Sequence, residues 1–123
     1  MRRSVVIATL VDVCCVVAFV AIGRHTHHDG DSAAGIWDTA WPFLAGLLIG
    51  LVVVRFWRRP TAIRPAGLGA WLGAAAAGMA IRVAAGQGTA VAFIAVALAF
   101  LGLFLLGWRY ATIVFSHLRN TST

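Results

Sequence analysis

Asp12 is the residue of this 123-residue chain best placed to do chemistry. It is the lone charge in an otherwise apolar run spanning 4–22. A carboxylate at bilayer depth costs roughly 2.5–3.5 kcal/mol on the insertion scale, so such groups face the protein interior and serve a purpose. At about 1.5 Å per residue, Asp12 lies about 12 Å above the inner end of its helix and Arg82 about 24 Å above the same level. The same count leaves Arg55 and Arg109 at the inner rim, about a dozen Å away. The expectation is therefore a carboxyl with no counter-ion, kept protonated by desolvation or solvated by water in a cavity. Two roles stay open for it: proton coupling or cation binding, and an interhelical hydrogen bond that holds a bundle together.

A second set of residues gathers at the opposite level. Arg24, His27, Asp38, Arg82, Gln87 and Thr89 all fall at the outer ends of apolar runs. Two guanidiniums together can clamp a carboxylate or phosphate. The plainer alternative is an Arg24–Asp38 or Arg82–Asp38 pair that pins helix ends, or arginines reaching into headgroups. The tract His25-Thr26-His27-His28-Asp29-Gly30-Asp31 has the ligand types that suit Zn, Cu or Ni. No second ligand cluster accompanies it on that side, so no metal site and no cofactor are assigned. There is no phosphate-binding glycine loop followed by Lys, no serine in register with His and Asp, and no paired carboxylates on one face. The reading is of a protein that is not an enzyme.

The elements that must position these residues follow from composition. The chain is 61% hydrophobic, with a mean hydropathy of +0.90, well beyond the roughly half-apolar make-up of a soluble domain. Four apolar segments stand out, at about 4–22, 39–57, 66–85 and 89–110. Each has the ~20 residues needed to cross a ~30 Å hydrocarbon core. In lipid the backbone must satisfy its own hydrogen bonds, which forces helices here. The expected fold is all-α: one domain over 1–123, an integral membrane four-helix bundle. Cys14 and Cys15, adjacent within the first run, read as small apolar packing residues.

The net charge of +6 arises from ten arginines and no lysine. They flank apolar runs, so they read as topology determinants and not as a nucleic-acid surface. Arg2, Arg3, Arg55, Arg58, Arg59, Arg64, Arg109 and Arg119 fall on one side, and only Arg24 and Arg82 on the other. The positive-inside rule then puts both termini in the cytoplasm. The bilayer is the expected partner, with anionic headgroups at the inner arginines.

Trp37 and Trp41 suit the outer interface, and Trp57 and Trp108 the inner one. Asp38 or Thr39 is expected to cap the second helix, with Pro42 in its first turn. The inner stretch between Pro60 and Pro65 reads as a short turn, and the tight outer loop at 85–88 makes the third and fourth helices antiparallel neighbours. Small residues recur at four-residue spacing, at Gly46 and Gly50, at Gly69, Gly73 and Ala77, and at Ala95 and Ala99. Such faces let helices approach closely, within one chain or between two in a homo-oligomer or with a partner membrane protein.

These features together resemble a family. Asp12, Gly23-Arg24 with His27, and Pro42-Phe43 form one set. Arg82, Gly88-Thr89-Ala90 with Phe93, and Gly107-Trp108-Arg109 form another. Their order is similar to that of the prokaryotic membrane proteins grouped as domain of unknown function family 3054. The resemblance implies four membrane helices, no established activity, and attention to His27 over its neighbours. Two functions stay open: a transport or channel-like protein with a cationic outer vestibule above a buried acid, or a structural or assembly subunit of a membrane complex.

Overall fold

The computed structural model describes residues 2–26, 33–87 and 91–121. Four helices account for almost all of them: α1 over Arg2–Thr26, α2 over Ala33–Val53, α3 over Ile63–Ala84 and α4 over Val91–Thr121. Each contains a window long and apolar enough to span a membrane, and there is no strand among the described residues. The four form a ring in which α1 packs on α2 and α4, and α3 packs on the same two. The all-α, membrane-spanning expectation holds; several boundaries do not.

The second helix begins at Ala33, six residues before the expected start. Asp38 and Thr39 are therefore not caps. Thr39 lies inside the helix and donates its hydroxyl to the carbonyl of Gly35, one turn back, at 3.2 Å. Pro42 is likewise interior. Lacking an N–H, it leaves the carbonyl of Asp38 without its intrahelical donor. The side-chain amide of Gln87, from the α3–α4 loop, fills that place at 3.2 Å. A proline in α2 thus creates the acceptor that ties the far loop down.

α2 stops at Val53, and Arg55 turns the chain in a left-handed conformation (φ 53°, ψ 55°). The link to α3 is short, as expected, but it is no solvated tether: Phe56 and Pro60 are both buried. α3 closes at its C-terminal end with Gly86 at φ 80°. There Gln87 N–H reaches back to Arg82 C=O at 2.8 Å, and Gly86 N–H to Val83 C=O at 3.0 Å. This is the glycine-terminated helix end that consumes otherwise orphaned carbonyls.

The glycine faces of α2 and α3 meet within one chain. A Cβ on Gly73 would lie 2.5 Å from the carbonyl oxygen of Gly46 and 2.6 Å from the Cα of Gly50. A Cβ on Gly50 would strike the carbonyl of Gly69. Only glycine permits this backbone-to-backbone contact. Hydrogen bonding in α3 loosens to the wider π pattern at Gly73–Ala77, at the contact itself. Ala95 and Ala99 of α4, by contrast, are exposed and join no such seam. Elsewhere the core is aliphatic and aromatic. Phe19 stacks edge-on to Phe43 at 5.5 Å and lies 5.6 Å from Phe100, above Leu47, Leu101 and Leu105, all buried.

Candidate functional site

Asp12 has a counter-ion after all. The guanidinium of Arg109 grips its carboxylate in a bidentate pair, Nη1 to Oδ1 and Nη2 to Oδ2, both at 2.8 Å. Trp108 Nε1 donates to Oδ1 at 2.8 Å. Asp12 and Arg109 are both 0% exposed. Two further donors of Arg109 are engaged inside the protein: Nε gives to the Pro60 carbonyl at 3.0 Å and Nη1 to the Leu105 carbonyl at 3.1 Å. The ion pair joins the first helix to the last, across 97 positions of sequence, and fastens the α2–α3 turn to both.

The expectation of an unaccompanied acid fails for two physical reasons. α4 does not end at Tyr110; it continues to Thr121, so Arg109 is an interior residue and not a rim one. Side chains on helices also lean toward the helix N-terminus. α1 and α4 run in opposite directions here, so Asp12 leans toward the N-terminal end of α1 and Arg109 toward the N-terminal end of α4. The two lean into each other and close the gap that axial counting leaves. Trp108, expected at the inner interface, points inward for the same purpose and is half-buried.

The outer set is assembled only in part. Arg82 Nη1 donates to Gln87 Oε1 at 2.9 Å, and Gln87 passes the connection to the Asp38 backbone. The Arg82 guanidinium also sits over the rings of Phe93 at 4.8 Å and Phe43 at 5.7 Å, the geometry of a cation–π clamp. The Asp38 side chain is exposed, and what the structure joins to Gln87 is its carbonyl. Arg24 belongs to the last turn of α1 and not to a loop; His27 and Thr89 lie outside the described residues, as does most of the histidine tract. Among the described residues, no three His, Cys, Asp or Glu side chains converge on one point. Gln87 is the outer residue whose importance the sequence conceals: its signal is Pro42, which orphans the Asp38 carbonyl, 49 positions upstream of Gln87.

The two polar groups do not form one pathway. Phe93 and Arg109 are separated by about 24 Å along α4 at 1.5 Å per residue, and buried Val16, Phe19, Leu47, Ala97 and Leu101 fill the interval. A groove of about 530 Å³ does open between α1 and α4 onto the lipid-facing surface, lined by Leu10, Cys14, Leu103, Phe104 and Trp108 among others. Cys14 is exposed there and Cys15 half-buried, both as free thiols.

Replacing Trp108 by Phe removes one donor and keeps the ring packing. The expected cost is about 1.5–3 kcal/mol, the range for a hydrogen bond to a charged group. It is checked by chemical unfolding in detergent against wild type; an unchanged midpoint would count the indole as mere packing.

No solved structure and no curated protein matches this chain. The residues of the ion pair nevertheless sit inside a recognisable unit. Residues 9–112, which include Asp12, Gln87, Trp108 and Arg109, match the family described as "Protein of unknown function (DUF3054)", and the chain belongs to that family.

Proposed function

We propose that this protein is a non-catalytic assembly subunit of a prokaryotic plasma-membrane complex, with both termini in the cytoplasm. One observation carries the reading: the single membrane-depth acid is fully buried and neutralised by Arg109. A proton-coupling carboxylate must exchange with water, whereas this one is committed to joining helices. Such pairs add little net stability over apolar packing but fix which helices meet and in what register. The protein's work then lies in presenting a defined surface to another membrane component, in a bilayer whose anionic headgroups meet the inner arginines.

The test compares protein solubilised natively with protein purified to homogeneity. A reproducible second polypeptide that travels with the native form supports the assembly role. Migration of both forms at one size, with one polypeptide, would sink it.

The second reading is transport, favoured by the Arg82–Gln87 pair at the outer end. It predicts proton or anion flux in reconstituted vesicles that falls in Arg82→Ala. On the assembly reading, wild type, Asp12→Asn and Arg82→Ala all stay at the protein-free background.

A further inference from the structure

The face that α3 turns toward α2 changes its spacing partway along. Gly69 and Gly73 follow one another at four residues, and the same step puts Ala77 next. The structure uses Gly78 instead. A Cβ on Gly46 of α2 would lie 2.5 Å from the Gly78 amide nitrogen, whereas Ala77 is only half-buried. The wide turn at Gly73–Ala77 makes the exchange: the Gly78 N–H reaches the Gly73 carbonyl, five residues back, as well as that of Ala75. One residue more than an α-helix needs is taken up there. Everything beyond it is turned by about 100° relative to an uninterrupted helix.

Arg82 owes its place to that rotation. It stands one turn beyond Gly78, over the rings of Phe43 and Phe93 and bonded to Gln87. In an uninterrupted helix Ala77 would take the seam, and Ile81, one turn beyond it, would cover the rings. Arg82 would move to the bearing that Val83, 61% exposed, now holds. Little stands in the way. Residues 74–77 are all alanine, so nothing larger than a methyl has to pass α2. A methyl at Gly78 would lie 3.0 Å from Cδ1 and 3.2 Å from Cα of Phe43, contacts that a small shift relieves, unlike the 2.5 and 2.6 Å clashes at Gly73. The residues turned inward would be Ala80, Ile81 and Ala84, and Arg82 beside a helix end can reach headgroups or water along its stem.

We propose that α3 is a register switch. With the wide turn in place, Gly78 fills the seam and Arg82 is stowed over the rings. With the turn closed to ordinary α-helix, Ala77 fills the seam and Arg82 is presented at the surface. The Arg82–Gln87 bond, and through it the Gln87 hold on the Asp38 carbonyl, belong to the first state, so the switch also releases the link between α3 and α4. The device stands whether or not the protein is an assembly subunit.

The experiment uses the full-length chain in nanodiscs on a Cys14→Ser, Cys15→Ser background. Spin labels are placed on cysteines at exposed Val83 and, in turn, at exposed Leu48 of α2 and Val96 of α4. The rotation carries the Val83 label about 8 Å around the helix axis, and two references ensure that the movement is read. Wild type is expected to show two distance components. Ala77→Leu, which bars the second register, keeps only the component of this structure; Gly78→Val, which bars the first, keeps only the other. Both substitutions together close both registers, and that protein should aggregate. A wild-type distribution superposing on that of Ala77→Leu overturns the switch. So does a Gly78→Val protein that keeps the Ala77→Leu distances, or one that aggregates as the double variant does, since no second register then receives it.

Discussion

Arg109→Ala is expected to destabilise the bundle by about 3–5 kcal/mol, the range seen when one partner of a buried ion pair is removed. The loss is not mainly the attraction between the charges. It is the carboxylate of Asp12 left in a site that is 0% exposed, with Trp108 its remaining side-chain donor among the described residues. Asp12 would have to take up a proton or draw water into the seam between α1 and α4. The Pro60 carbonyl loses its donor at the same time, so the α2–α3 turn should loosen as well. Replacing both residues, as Asp12→Leu with Arg109→Leu, is expected to recover most of the loss, because apolar pairs of similar volume often match a buried ion pair in stability. Arg109→Lys should fall between, since an ammonium cannot present two parallel donors to both oxygens. Reversible unfolding of the reconstituted protein reads these three variants and wild type on one scale, and the single variants Asp12→Leu and Arg109→Leu complete the double-mutant cycle that isolates the coupling. If Arg109→Ala unfolds at the same point as a control such as Arg64→Ala, the pair is not the tie between the terminal helices.

How far the sequence makes this architecture visible depends on which forces act. Segment count and helical type follow from hydropathy and from the backbone's need for internal hydrogen bonds, so the four spans are legible. The Gly46/Gly50 and Gly69/Gly73 spacings are legible as close-packing faces too. Where the periodicity is ambiguous it misleads: Ala95 and Ala99 have the same spacing but face outward, because a small residue permits contact without requiring it.

Boundaries are the weak point, and the error at Arg109 shows why. A terminal arginine reads as the end of a span, but a guanidinium whose charge is neutralised can sit well inside one. Asp12 and Arg109 each look anomalous alone; as a pair they remove each other's anomaly. Asp38 fails for a different reason. Its side chain is a good helix cap, but its backbone carbonyl is what the structure uses, through the gap that Pro42 makes. That contact pairs residues from two ends of the chain's middle half, and no local pattern announces it. The outer cluster remains a proposal at His27 and Thr89, which lie outside the described residues.

Gly73→Val is expected to abolish the native α2–α3 contact, and Gly50→Val to do the same from the other helix. The hypothetical Cβ at Gly73 already falls within 2.6 Å of the Gly50 Cα, and backbone atoms cannot rotate away as a flexible side chain can. To admit even one methyl, the two helices must separate. That breaks the seam along Gly46, Gly50, Gly69 and Gly73 together and strips neighbouring Leu47, Leu51, Ala70 and Ala74 of their burial. Overpacking in a core typically costs about 1–3 kcal/mol per site, and more where the backbone must move; in lipid, separated helices gain no compensating hydrophobic drive to find another arrangement. The measurement is thermal aggregation in detergent, with the distance between spin labels on cysteines placed at the exposed positions Leu48 and Leu72, on a Cys14→Ser, Cys15→Ser background, as the readout of helix separation. Gly23→Ala serves as control, because a Cβ there meets nothing within 4 Å. A Gly73→Val protein that keeps wild-type stability and the wild-type label distance would mean that α2 and α3 do not touch through their glycines. The neighbouring test, Ala99→Val on the outward face of α4, should leave both readings unchanged, which separates a packing glycine seam from a merely small-residue surface.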